Sequence, residues 1–267
     1  MLSKLENFIK RFYLILIFIF LYAPIVTLMI FSFNNSKSMS HWGGFSLKWY
    51  SSLFQNNRLM NALYYTILIA VISSVISTIV GTFTAIGINK IKKGSFKTIL
   101  LNINYLPVLN PDIVTGIALM SLFIFFNFEF GFITMLLAHI TFSIPYVILS
   151  VLPKLKQMPD NVEEAALDLG ATEFYTIRKI ILPQIKPGII SGFLMAFTMS
   201  VDDFVISFFT NGPGVSNLSI EIYSMARRGI KPEINALSTI MFIVVLLLLI
   251  IANGKSFIRG DKNNENF

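Results

Sequence analysis

The chain has 267 residues, 55% of them hydrophobic and 13% charged, with a mean hydropathy of +0.72. Ordinary soluble domains carry roughly 25% charged residues, so a soluble globular fold is excluded, and the long uncharged runs mark an all-α, polytopic membrane protein. The absence of Cys excludes disulfides and thiolate metal sites, two His are too few for a His-built metal centre, and the net charge of +7 acquires its meaning from where it falls rather than from a nucleic-acid partner.

In chain order, residues 1–11 are short and basic (Lys4, Lys10, Arg11) and residues 12–33 almost wholly apolar. A signal peptide has an apolar core of about 7–15 residues and a small-residue cleavage site. This run is longer and Ser32-Phe33-Asn34-Asn35 is a poor site, so it reads as an uncleaved first span with a kink at Pro24. Residues 34–61 are polar and aromatic, and Trp42, Trp49 and Tyr50 suit a membrane–water interface. A second span, 62–88, carries Ser73, Ser74, Ser77, Thr78 and Gly81, which permit close helix packing. After a basic turn from Asn89 to Lys97, a third span runs over 98–126 and contains Pro107, Pro111 and Asp112. A fourth, 131–152, contains His139 and Pro145. A polar insert follows at 153–186, then a fifth span, 187–210, with Asp202-Asp203, a Gly/Pro-rich loop at 211–235, a sixth span at 236–253 and a polar tail. The whole, residues 1–267, reads as one transmembrane domain.

Six spans put both termini on one side. Fifteen Lys and Arg fall on that side and six on the other, which by the positive-inside rule makes the termini and the 153–186 insert cytoplasmic.

Two positions stand out inside the membrane. Asp112 and Asp202 each lie about 20 Å from the cytoplasmic end of a span at about 1.5 Å per residue. Charge at such depth costs several kcal/mol unless paired or facing water, and none of the six spans supplies a Lys or Arg. Either these acids and Asp203 face a central path and meet a passing cation, or they sit at helix ends near headgroup water or pair with Arg227 or Arg228. Adjacent Asp202 and Asp203 point about 100° apart on a helix, so one of them faces away. Pro107 and Pro111 break the helix just before Asp112, as at transporter sites or as at an ordinary kink. His139 reads as a satisfied polar group with Thr141 and Ser143 beside it, and Phe123, Phe125, Phe126 and Phe128 as lipid-facing bulk. The Gly254-Lys255-Ser256 triplet lacks the earlier glycine and the preceding strand of a phosphate-binding loop. The chain therefore offers no nucleotide site, no cofactor site and no catalytic constellation.

The insert has its own grammar. Asp160 can cap a short helix with Glu163 as the capping-box partner. Val162, Ala165, Ala166 and Leu169 share a helical face, Gly170 suits a left-handed C′ position, and Thr172 can cap a second helix that ends near Leu182, where Pro183 interferes. This small apolar face suits either docking into another protein's groove or lying on the membrane surface. Glu164-Ala165-Ala166, three residues, Gly170, nine residues, then Ile180-x-Leu182-Pro183 resembles the EAA motif of ABC-importer permease subunits. That resemblance implies a coupling helix seated in a cytoplasmic ATPase through Glu164, Ala165, Ala166, Leu169, Gly170, Ile180, Leu182 and Pro183.

The resemblance extends along the chain. Lys48-Trp49-Tyr50-Ser51, Pro111-Asp112-Ile113-Val114, His139-Ile140-Thr141-Phe142, Ser200-Val201-Asp202-Asp203, Ile222-Tyr223-Ser224-Met225 and Pro232-Glu233-Ile234-Asn235-Ala236-Leu237 are similar to spermidine/putrescine permeases of the PotC type. This implies a MetI-like architecture in a bacterial inner membrane and transport by alternating access. It also implies a PotB-like second permease, a PotA-like ATPase dimer carrying ATP and Mg, and a PotD-like extracytoplasmic polyamine-binding protein. Trp49, Asp112, Ser200, Asp202 and Asp203 become the substrate-path residues. Arg227-Arg228 departs from a simple cation funnel and suits contact with the binding protein instead. Three other readings share some of these features. An ABC permease for another substrate keeps the insert, although a neutral sugar gives no reason for unpaired acids. A secondary transporter would not need the insert. An intramembrane aspartyl protease needs two Asp sharing a proton, but no GxGD surrounds either.

Overall fold

A computed structural model describes residues 2–38, 40–92, 94–159, 161–229 and 231–260. Every regular element among them is a helix, apart from two isolated β-bridges. Helices are the expected solution, because apolar runs in lipid must satisfy every backbone group internally. The chain divides into two compact units, Met1–Met60 with Ser224–Phe267, and Asn61–Tyr223.

In the first unit, α1 (Leu2–Ser32) runs through Pro24 and presents exposed Phe12, Leu16, Phe20 and Leu21. It packs on α12 (Glu233–Gly260), with a small hollow of about 170 Å³ between Ile25, Leu28, Met29 and Ser238, Thr239, Phe242. A short helix, α2 (Lys48–Gln55), is tied to the start of α12, where the Glu233 carboxylate accepts from Ser52 Oγ at 2.6 Å and Asn56 Nδ2 at 3.3 Å.

The second unit is built around α6 (Phe132–Lys156). Glycines bring its neighbours in close. A Cβ at Gly81 of α3 (Asn57–Lys90) would lie 2.8 Å from Val147 Cβ, and one at Gly192 of α9 (Leu182–Asp202) would lie 3.2 Å from Val147 Cα. Small residues at these positions let helix axes approach where van der Waals contact, not water exclusion, drives association. Around the contact, Ala85, Val147, Val151, Ile185 and Ala196 form a core.

The expected third span is two helices. α4 (Ser95–Leu109) and α5 (Asp112–Phe125) meet at 106°. Pro111 has no N–H to continue the ladder and drives the preceding residue out of the helical region, and Asn110 is extended at φ −75°, ψ 145°. Phe123 is buried against Phe128 and Phe130 rather than facing lipid, whereas Phe125 and Phe126 are exposed.

The expected fifth span is also interrupted. α9 stops at Asp202, and α10 (Val205–Thr210) restarts two residues later. At its other end the expected break at Pro183 is absent. α8 (Glu173–Thr176) passes through a π turn, Ile177–Ile181, directly into α9, with Leu182 N–H donating to Ile177 C=O. The wider turn gives room for the Pro183 ring, which in α geometry would clash with the carbonyl four residues back.

Among the described residues four helical stretches are long and apolar enough to span a membrane: Ile9–Ser32, Asn57–Lys90, Phe132–Lys156 and Glu173–Asp202. The α4/α5 pair makes a fifth if counted as one span. The sixth expected span falls in α12, whose described apolar stretch, Glu233–Val244, is shorter, and this is why the count differs from six. α12 continues to Gly260, so Gly254-Lys255-Ser256 lies in a helix, and residues 261–267 of the expected tail lie outside the described residues. The 211–235 loop contains a helix, α11 (Leu218–Arg228), started by Asn217, whose Oδ1 accepts from Ile220 N at 3.0 Å. Asn is a good N-cap, a signal hidden by the surrounding Gly and Pro.

Candidate functional site

Two places carry the polar chemistry of the second unit: the interrupted end of α9 and the insert at 162–182.

At the first, Asp203 sits between α9 and α10. Its Oδ1 accepts from Ile206 N at 3.1 Å, and its Oδ2 accepts from Ser207 N at 2.7 Å and Ser207 Oγ at 2.8 Å. It thus caps the first N–H groups of α10 from the residue before the N-cap position, Phe204, where a negative charge also meets the positive end of the helix dipole. The side chain is only 7% exposed and lies 3.6 Å from His139 Nε2. His139 Nδ1 is 2.6 Å from Ser200 Oγ and Nε2 is 2.9 Å from Ser207 Oγ. Ser73 Oγ reaches Ser200 Oγ at 3.2 Å. Asn217 Nδ2 donates to Ser207 Oγ at 2.6 Å and to Asp203 C=O at 3.0 Å. A proton on Nε2 of His139 is consistent with all of these contacts: Ser200 donates to Nδ1, and Nε2–H donates to Ser207, which donates to Asp203. The partners of His139 therefore come from α9 and α10. Thr141, expected beside it, bonds its own helix at Leu137 C=O, and Ser143 Oγ has no partner among the described residues.

Asp202 and Asp112 differ from Asp203. Both are exposed, and neither has an ion pair or a hydrogen bond to another residue among the described residues. Asp202 is the last residue of α9 and Asp112 the first of α5. The two breaks are neighbours, because a Cβ at Gly116 of α5 would lie 2.9 Å from Phe209 Cδ2 and 3.5 Å from Val205 C=O of α10. Ser200 is buried in the polar cluster. Trp49, in the first unit, is also buried. Its Nε1 donates to Asn34 C=O at 2.7 Å, and Lys48 Nζ lies 4.6 Å from its ring centre. Arg227 is exposed, and the Arg228 side chain lies outside the described residues.

At the second place, α7 (Val162–Asp168) ends in a complete Schellman corner. Gly170 has φ +84°, its N–H bonds Leu167 C=O at 2.9 Å, and Ala171 N–H bonds Ala166 C=O at 3.1 Å. Only glycine adopts that φ freely. Thr172 then caps α8, accepting from Tyr175 N at 3.3 Å. Asp160, the expected first cap, lies outside the described residues, and Asn161 occupies the cap position of α7 without a side-chain bond. Glu163, expected to close a capping box, pairs instead with Lys90 at the end of α3. Ala166 is buried and Ile181 and Ile185 root the element in the core. Ile180 and Leu182 are half-buried, while Glu164, Ala165, Gly170 and Pro183 are exposed. Leu169 is 89% exposed, the highest of the described large apolar side chains. It borders a hollow of about 460 Å³ lined also by Ala166, Gly170, Ala171, Thr172, Tyr175 and Ile180. An apolar tip beside an apolar hollow on a small two-helix corner is shaped for protein contact.

Comparison with known proteins gives a consistent result. The family described as Binding-protein-dependent transport system inner membrane component matches residues 77–254. The chain is 38% identical over 250 residues to the spermidine/putrescine transport system permease protein PotC of Escherichia coli strain K12, covering 94% of this chain and 93% of that one. It is 38% identical over 234 residues to the putrescine transport system permease protein PotI of the same strain, covering 85% and 83%. A crystal structure of a bacterial alginate ABC transporter, in complex with its alginate pentasaccharide-bound periplasmic protein, matches with a TM-score of 0.73 at 18% identity, covering 95% and 94%, a likeness of fold alone.

Proposed function

This chain belongs to the binding-protein-dependent transport system inner membrane component family, and from that premise we propose that it is the multi-pass permease subunit of an ATP-driven importer of spermidine or putrescine. It forms half of a translocation path with a second, PotB-like permease. A PotD-like extracytoplasmic protein delivers the polyamine. A PotA-like ATPase dimer, which alone binds ATP and Mg, receives the 162–182 corner and drives alternating access. Both termini are cytoplasmic, in line with the distribution of Lys and Arg. This chain breaks and forms no covalent bond.

The observation that carries the polyamine reading is the pair Asp112 and Asp202. Two exposed carboxylates stand at neighbouring helix breaks, with no basic partner among the described residues. Carboxylates at membrane depth need a counter-charge, and a chain of ammonium groups supplies one to each as it passes. Ser200 and Asp203 support the path from behind.

The test is ATP-dependent uptake of labelled spermidine and putrescine into proteoliposomes containing all four components. Wild type takes up polyamine, Asp202→Asn loses uptake at polyamine concentrations below the wild-type KM while the ATPase remains bound, and Glu164→Ala weakens ATPase coupling. A wild-type complex that hydrolyses ATP in response to another binding protein and moves no polyamine would overturn the substrate and leave the permease. Single cysteines placed at residues 37 and 157 of this Cys-free chain, labelled from outside intact cells, check the orientation: residue 37 reacts and residue 157 does not.

A further inference from the structure

We propose that Asp203 is a positioning residue rather than a contact for the cargo. Together with His139, Ser200, Ser207 and Asn217 it forms a buried polar lock that fixes where α9 ends and so holds Asp202 at the surface. The inference rests on the polyamine reading for what Asp202 meets, but the lock itself stands on geometry alone.

Adjacent acids invite the same role, yet their surroundings are opposite. Asp203 already accepts three hydrogen bonds, two from backbone N–H groups that open α10. An ammonium group drawing that carboxylate away would strand Ile206 N–H and Ser207 N–H in a dry interior, where a buried unpaired donor is expensive. The carboxylate is also roofed over. His139, Ser200 and Asn217 are each at most 2% exposed: His139 of α6 and Asn217 before α11 bind Asp203 or its partner Ser207, and Ser200 of α9 holds the other ring nitrogen of His139. Asn217 closes the cluster by holding the Asp203 carbonyl, the acceptor left without a helical donor where α9 stops. With Asp203 extended at φ −62°, ψ 123°, Asp202 becomes the terminal residue of α9 and is left exposed. Were the helix to run on unbroken, its face would be set by helical register instead of by the break.

Cap and charge can be separated by substitution. Both changes remove the charge, but Asn keeps one of the two acceptor oxygens that hold Ile206 N–H and Ser207 N–H while Ala keeps neither. Asp203→Asn, Asp203→Ala and Asp202→Asn are to be compared in the reconstituted complex, with uptake measured against polyamine concentration and thermal unfolding measured in parallel. For the lock, both Asp203→Asn and Asp203→Ala leave KM unchanged, and Asp203→Asn lowers the maximal rate and the Tm by less than Asp203→Ala because it keeps one of the two N–H bonds. Asp202→Asn raises KM by about tenfold or more at unchanged Tm. The lock is overturned if Asp203→Asn raises KM as much as Asp202→Asn while Tm stays at the wild-type value, because the charge itself would then be meeting cargo. If wild type moves no polyamine, the substrate reading fails and the Tm arm still decides the lock. Asp203→Ala and Ser207→Ala must then destabilise by less together than the sum of the two alone, and strict additivity would refute it.

Discussion

Leu169 at the corner after α7 is 89% exposed, while His139 in the interior of the same unit is 2% exposed with both ring nitrogens bonded. The corner fulfils its backbone demands locally, through the Gly170 turn and the Thr172 cap, and leaves apolar surface outward. The Asp203 cluster draws polar groups from distant stretches of chain and leaves nothing outward except Asp202. A surface meant for a partner keeps its side chains unspent, whereas a group meant to hold a shape is consumed by its own neighbours. Partner-facing residues of this chain are therefore better recognised by what they lack than by their charge.

The largest effect expected along this contrast is at the tip. Leu169→Asp places a charge where an apolar contact is awaited and weakens ATPase association by at least about tenfold in a pull-down titration, since central apolar anchors carry most of an interface's energy. Tm stays unchanged because the side chain touches little of its own chain. A fall in Tm instead would show that the tip is part of this fold and erase the contrast. Next in size is the interior. Gly81→Leu drives a side chain into Val147 and costs about 1–3 kcal/mol by overpacking, read as a lowered Tm. Gly87→Leu on the same helix, with nothing within 4 Å of the added Cβ, has no such clash and is the control.

The smallest effect tests the ion pair through which the corner reaches back. Lys90 and Glu163 are paired but 35% and 30% exposed, so the link is worth at most about 1 kcal/mol after solvent screening. Lys90→Glu and Glu163→Lys each lower the ratio of polyamine moved to ATP hydrolysed, and the double swap restores it. Failure of the swap to restore the ratio would show that the pair carries no coupling.

How much of this was legible follows from how far each residue's partners lie. The Gly170 corner and the Thr172 cap close within a few residues, so the sequence around them is sufficient. Glu163 satisfies the same local rule as a capping-box partner, yet it pairs with Lys90, from a helix end that local rules do not see. The partners of His139 lie 61 and 68 residues away, and its sequence neighbours Thr141 and Ser143 were no guide. Asp203 was a different kind of miss. Its bonds to Ile206 and Ser207 are local, and an acid just before a short apolar helix is an ordinary cap signal, but the Asp-Asp pair drew attention to charge. Of the two prolines expected to break the third span, Pro111 stands at the break and Pro107 lies inside α4, and no composition rule gives an angle of 106°.

The π turn at Ile177–Ile181 has a last consequence, for anyone drawing a helical wheel through this region. One extra residue accommodated in a turn shifts everything after it by about 100° relative to an uninterrupted α count. A wheel begun at Glu173 and carried to Ser200 without that allowance would turn Gly188 and Gly192 away from α6, the helix they pack against. Counted from Leu182 instead, the two glycines fall one turn apart on the same stripe as Ile185, Ala196 and Ser200, all of them buried. From Glu173 to Asp202 the end of the insert and the span are thus one rod with a fixed phase offset cut into it, and a single-residue deletion within 177–181 would move the phase of α9 while leaving its composition almost untouched.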